Sequence, residues 1–145
     1  MDVDVAVERV IACPVAEVAA VAGDPGNAPR WYRNITEVRW RTEPPVGVGS
    51  RMDFEARFLG RRLAYTYEAV ALEPGRRLVM RTADGPFPME TTYTWEALGE
   101  SATRMTLRNR GTPTGFAGLT APLMERAMRR AMTGDLAALA RLLES

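Results

Sequence analysis

Histidine, lysine and glutamine are absent from the 145 residues, and cysteine occurs once. Without histidine there is no Ser-His-Asp triad, no imidazole base and no histidine metal ligand. Without lysine, Schiff-base chemistry and a phosphate-loop lysine are excluded as well. A lone Cys13 forms neither an internal disulfide nor a thiolate cluster, so no metal and no cofactor is expected. No apolar run approaches the ~18 residues of a membrane span, and Met1 opens directly onto Asp2-Val3-Asp4 without a charged-then-apolar leader, so a cytoplasmic chain without membrane insertion is expected. Neither sign of charge is in excess: 19 basic residues, all arginine, balance 18 acidic ones to a net +1, which leaves no electrostatic footprint for nucleic acid.

What is present suits a water-folding chain. Hydrophobic residues make up 46%, charged residues 26%, and the mean hydropathy is −0.19. A single domain over residues 1–145 is expected, large enough to bury roughly 70% of its unfolded surface. The alternation from Val3 to Val10 predicts a first strand. Pro14 then fits the first turn of a short helix running to about Ala22, ended by Asp24-Pro25-Gly26, with a second helical turn before Trp31. Further strands are predicted near Thr36 to Arg41, Arg51 to Phe58, Arg62 to Leu72, Arg77 to Thr82, Met89 to Leu98 and Thr103 to Arg110, separated by glycine- and proline-bearing breaks. A long amphipathic helix is predicted from about Thr120 to Leu143.

Cross-strand arithmetic tests this order. A two-residue turn at Leu59-Gly60 sets Phe54 opposite Tyr65, Met52 opposite Tyr67 and Arg51 opposite Glu68. A two-residue turn at Pro74-Gly75 sets Ala69 opposite Met80 and Glu68 opposite Arg81. Continuing, Arg81 faces Glu90 and Glu90 faces Arg110. The charges then form one alternating row on the solvent side. Period-two alternation sends Met52, Phe54, Tyr65, Tyr67, Met80 and Tyr93 to the other face, with Trp95, Met105, Leu107, Thr91 and Asn109 beside them.

That face needs a cover. Steps of about 100° place Met124, Met128, Ala131, Asp135, Leu139 and Leu142 on one side of the C-terminal helix, whose about 22 residues reach roughly 33 Å. A stripe interrupted by Ala127, Ala131, Gly134 and Ala138 is too slim to fill a bent sheet, which predicts a hollow between sheet and helix. The predicted architecture is α+β: a curved antiparallel sheet of about seven strands wrapped around a long C-terminal helix, with two short helices after the first strand.

This order, with the strings Pro14-Val15-Ala16-Glu17-Val18, Asp24-Pro25 followed by Pro29-Arg30-Trp31, Gly47-Val48-Gly49-Ser50-Arg51, Leu72-Glu73-Pro74-Gly75-Arg76-Arg77-Leu78 and Asp135-Leu136-Ala137-Ala138-Leu139, resembles the START/Bet v 1-like (SRPBCC) superfamily, polyketide cyclase/dehydrase-like branch. The resemblance implies a helix-grip fold with an internal pocket for greasy or flat molecules. It implies no single reaction, because the fold hosts carriers, sensors, cyclases and chaperone activators.

Candidate ligand-binding residues follow from the inward face. Tyr65, Tyr67, Tyr93 and Trp95 are suited to stack a ring and orient it through their polar tips, with Phe54 beside them; plain core packing is the alternative. Met52, Met80, Met105, Met124 and Met128 are adaptable filler that suits varied guests or a core alike. Asn109 is a candidate polar anchor, or serves the backbone near Gly111. Asp135, alone on an apolar helix face, is either a ligand or acid-base group, or is matched by an arginine or a solvated notch. Trp31, Phe87, Phe116 and Leu119 are placed at the pocket entrance, with anchoring of the short helices an equal alternative for Trp31 and its neighbour Tyr32. Glu125 and Arg129 read as an i,i+4 surface pair.

Three functions fit: binding of a small hydrophobic (aromatic, polyketide- or lipid-like) molecule; a polyketide cyclase/dehydratase-type enzyme using Asp135, Tyr65 and Tyr67 for proton transfer; or an interaction module of the chaperone-activator type. The expected partner is the small molecule, with the chain a monomer or homodimer.

Overall fold

The computed structural model describes all 145 residues. Strand β1 (Val3–Ile11) is followed by helix α1 (Val15–Ala22), a 3-10 turn (Pro25–Asn27) and the one-turn helix α2 (Ala28–Trp31). Six strands follow: β2 (Ile35–Trp40), β3 (Arg51–Phe58), β4 (Arg61–Glu73), β5 (Arg77–Asp84), β6 (Met89–Ala97) and β7 (Thr103–Gly111). Helix α3 (Ala121–Glu144) closes the chain. All seven strands form one antiparallel sheet in the order β1-β7-β6-β5-β4-β3-β2. The helix-grip architecture is as expected from the pattern. Pro14 stands one position earlier than expected, at the N-cap of α1 with φ −59° and ψ 146°, where its missing N–H costs nothing.

Register follows the charge row. Arg51 lies opposite Glu68, Glu68 opposite Arg81, Arg81 opposite Glu90 and Glu90 opposite Arg110. Three of these pairings close as ion pairs: Arg51–Glu68 at 2.8 Å, Arg81–Glu90 at 3.1 Å and Arg110–Glu90 at 2.9 Å. Burial alone would push the Glu90 carboxyl up, but hydrogen bonds from Arg81 and Arg110 outweigh it and hold the group below the ordinary carboxylate range. Its contribution is therefore present above the ordinary pKa and lost as pH falls through the lowered one. Glu90→Gln is expected to cost about 1 kcal/mol at neutral pH, with the difference from wild type closing in acid, as read from urea midpoints at two pH values.

One turn differs from expectation. The β4–β5 connection holds three residues, Pro74 to Arg76, with the Arg76 N–H bonded to the Glu73 carbonyl at 2.9 Å. A bulge at Val70 absorbs the extra residue, so Ala69 still faces Met80. The bulge also reverses the alternation beyond it, which brings Leu72 opposite Leu78 and against the core.

The buried stripe of α3 comprises Met124, Met128, Met132, Asp135, Leu136, Leu139 and Ala140, while Ala131 and Leu142 are only half-buried. The helix is gripped on two flanks, by β1 and by α1 and α2, so its buried face is wider than one stripe. Glu125 and Arg129 are not a mutual pair. Glu125 accepts the Asp4 N–H at 3.0 Å, Arg129 donates to the Ala6 carbonyl at 3.0 Å, and Glu144 accepts the Ala12 N–H at 2.9 Å. Side chains of α3 thus satisfy the free edge of β1, which would otherwise offer unpaired backbone to another strand. No helix is long and apolar enough to cross a membrane.

Candidate functional site

Between the concave face of the sheet and α3 lies a chamber with about 140 Å³ open to the centres of water-sized molecules, lined by 24 residues of which 17 are hydrophobic. Apolar hollows of about 150 Å³ stay dry and admit benzene-sized guests. One ring therefore fits as the walls stand, and a larger guest requires the methionines to yield.

The wall on β3 and β4 is aromatic. Phe54 and Tyr65, cross-strand partners, stack with centroids 5.4 Å apart and planes 6° apart, and Tyr67 meets both rings edge-on at 5.4 and 5.0 Å. Across the sheet runs a polar relay: the Tyr67 hydroxyl lies 2.7 Å from Thr91 Oγ1, which donates to Asn109 Oδ1 at 2.6 Å. Opposite it, Tyr32 and Tyr93 share a hydroxyl hydrogen bond at 2.7 Å, with Trp31 packed on both rings at 4.2 and 5.8 Å. Burial pushes the Tyr67 hydroxyl up to about 12 and raises those of Tyr32, Tyr65 and Tyr93 well above the ordinary tyrosine value. These phenols stay protonated at physiological pH and act as donors and as ring surfaces.

Asp135 is the only carboxylate in the wall and no arginine joins it there. It is 2% exposed, and its one hydrogen bond comes from the Arg33 main-chain N–H at 3.1 Å. Of the two structural readings open in the sequence, an arginine side-chain partner and a solvated notch, the first is absent at ion-pair distance, and the second oxygen faces the chamber. Burial pushes the carboxyl up to about 6, against the pull of the Arg33 amide and the Arg33 charge.

Of the residues singled out in the sequence, Phe54, Tyr65, Tyr67, Met80, Tyr93, Asn109, Met124, Met128 and Asp135 line the chamber, as do Phe87 and Phe116, which were expected at an entrance. Met52, Trp95 and Met105 do not. All three lie toward the opposite end of the sheet, where the space is filled; the Trp95 ring, for example, abuts Gly23 at the end of α1. Alternation assigns a face but not which end of that face stays hollow. Trp31 is a buried platform beneath Tyr32 rather than an entrance residue, and Leu119 packs beside the wall without forming it. Residues not singled out include Phe58, Met132, Asn34 and Ile35. Phe58 continues the 52-54-56 alternation and Met132 the 124-128 spacing, so both were readable; Asn34 and Ile35 depend on the path of the chain after α2.

One end of the chamber is an aromatic cluster under an arginine. Phe116 meets Phe58 and Phe87 edge-on, each at 6.1 Å. The Arg61 guanidinium lies 5.2 Å from the Phe116 ring centre and 5.9 Å from that of Phe87, and donates to the Thr114 carbonyl. Gly115, at φ +84°, leaves room for that guanidinium, which any Cβ there would strike. Removing the guanidinium in Arg61→Ala is expected to accelerate amide exchange severalfold in residues 84–88 and 112–119 while the central strands stay protected, as measured by hydrogen exchange and mass spectrometry.

Fold and chamber together define a helix-grip protein of the SRPBCC/START/Bet v 1-like superfamily, an architecture typical of hydrophobic-ligand binding. Within it, the chain belongs to the polyketide cyclase/dehydrase and lipid transport family, which it matches over residues 2–144. No curated protein matches it by sequence. Among solved structures it is similar to the Zhui aromatase/cyclase from Streptomyces sp. R1128, with 19% identity, TM-score 0.80 and coverage of 99% of this chain and 94% of that one. A START superfamily protein from Mycobacterium smegmatis aligns with TM-score 0.85 at 13% identity, over 97% of each chain. The major latex-like protein 151 of Panax ginseng aligns with TM-score 0.78 at 13% identity, over 98% of this chain and 97% of that one.

Proposed function

We propose that the protein binds a small hydrophobic molecule, aromatic in at least one part, in the chamber between sheet and α3. The observation that carries this reading is an unfilled, aromatic-walled hollow between sheet and α3, bounded at one end by Phe58 of β3 and by Phe87 and Phe116 of the connecting loops. Stacking rings supply apolar contact, and the Tyr67-Thr91-Asn109 relay supplies orientation. The test is a fluorescence titration with N-phenyl-1-naphthylamine, alongside native mass spectrometry of the protein as purified. Saturable one-to-one binding that disappears in Ala131→Phe, a wall position on α3, supports the reading; no uptake, or equal uptake by the filled variant, overturns it.

A second reading, proton transfer on a bound polyketide-like chain, is favoured by one observation: a carboxyl with a pKa pushed up to about 6 facing the chamber. Similarity to an aromatase/cyclase is in keeping with it. In this reading Asp135 exchanges the proton and Tyr65 donates a hydrogen bond, while Tyr67, whose own proton goes to Thr91, accepts one. Turnover of a poly-β-ketone, lost in Asp135→Asn while binding persists, is the supporting result, and absence of turnover by the wild type overturns it. The interaction-module reading has little support: the large exposed apolar residues Met1, Val10, Val48, Leu59 and Leu123 are scattered over the N-terminus, β1, two connections and α3.

A further inference from the structure

Resting on the ligand-binding reading, the geometry points to a narrower ligand class: we infer that the guest is a hydrophobic amine whose ammonium group pairs with Asp135. The carboxylate of a residue only 2% exposed normally has a cationic partner, because desolvating a lone charge is costly. Here no arginine side chain is within ion-pair distance, and no arginine lines the chamber although the chain holds 19. The groups facing Asp135 are the Arg33 amide, with its side chain out in solvent, and the tyrosines Tyr32 and Tyr93, whose hydroxyls bond to each other and not to the carboxylate. One carboxylate oxygen takes the amide at 3.1 Å, and nothing in the protein reaches the other.

A second acceptor stands on the same wall. Asn34 Oδ1, one residue beyond that amide, is buried in the chamber lining with no hydrogen-bond partner. The unmet demand at this end is for donors carrying positive charge. An ammonium supplies both, and the phenol oxygens of Tyr32 and Tyr93, close enough to feel the Asp135 charge, offer it further acceptors. A carboxylic acid would set a second negative charge against Asp135 with no arginine to relieve it.

The experiment compares one ring system with three head groups. Calorimetric titrations with 1-naphthylmethylamine, 1-naphthylmethanol and 1-naphthoate, and with the smaller phenethylamine, phenethyl alcohol and phenylacetate, are run at about pH 7.5 on protein stripped of co-purified molecules. The expected order is amine, alcohol, acid, with the amine about tenfold or more tighter than the alcohol. Asp135→Asn, which keeps the acceptor for the Arg33 amide, is expected to weaken the amine by about tenfold and shift the alcohol by less than about threefold. Equal or tighter binding of alcohol or acid, or an amine affinity unchanged in Asp135→Asn, overturns the amine inference while the ligand-binding reading survives. Failure of every member of both series to bind overturns both.

Discussion

Asp135→Asn stabilises the ligand-free protein by up to about 3 kcal/mol at about pH 8 and changes it little below about pH 4. The residue is 2% exposed and its carboxyl pKa is pushed from 3.8 up to about 6 by burial. A raised folded-state value means the native protein binds the proton more tightly than the unfolded chain does. Whatever stability this lends is complete below the unfolded pKa of 3.8 and is lost as pH climbs through about 6, where the carboxylate must ionise inside an apolar wall. Asparagine keeps the oxygen that accepts the Arg33 amide and carries no charge at any pH. Paired urea titrations at several pH values read the difference directly. A constant offset between variant and wild type across that range, or destabilisation at high pH, contradicts the assignment. The same carboxyl that lowers the stability of the empty fold above about pH 6 lines its chamber, so a guest that neutralises it would restore that stability.

Asp135 was visible in the sequence for the same reason that it is costly: a charged residue on a stripe of methionine and leucine breaks the helical pattern. Its surroundings were not visible. They come from Tyr32, Arg33 and Asn34, which leave α2 as irregular chain and carry no periodicity to read. The sheet was more legible, because side-chain charge records register; a slip of one residue would have thrown Arg51, Glu68, Arg81 and Glu90 onto the core face. Even there, agreement concealed a compensation. Two turn residues were expected at Pro74-Gly75, three are used, and the bulge at Val70 restores the pairing of Ala69 with Met80. Local turn chemistry and long-range pairing constrain different residues, and the bulge is where the two are reconciled. Placement of the hollow lay beyond the pattern altogether. Met52, Trp95 and Met105 share a face with Phe54, Tyr93 and Asn109, and packing that alternation does not record, such as the end of α1 against Trp95, separates the set in the filled core from the set that touches empty space.

That division of labour predicts the largest loss of stability at a residue outside the chamber. Trp31 is 2% exposed and among the largest fully buried side chains, yet it belongs to a helix of one turn that has no cap from a side chain. Nothing in so short a helix sustains itself, so the indole is what holds Ala28–Trp31 to the core. It also supports the Tyr32 ring at 4.2 Å, and through the adjoining chain the Arg33 amide that reaches Asp135. Trp31→Ala is expected to cost about 3–5 kcal/mol, the range for emptying a large aromatic site, and to remove ligand binding in the molecules that still fold, since Tyr32 loses its platform. Trp31→Phe behaves differently. The indole N–H is buried without a hydrogen-bond partner, so phenylalanine gives up area while also removing an unsatisfied donor, and the two changes oppose each other. A cost under about 2 kcal/mol with retained binding is expected for Trp31→Phe. Denaturant midpoints for the two variants, taken with a titration of the same neutral naphthyl probe, separate a packing platform from a hydrogen-bonding anchor: if phenylalanine proves as damaging as alanine, the indole nitrogen has a partner that the packing argument overlooks.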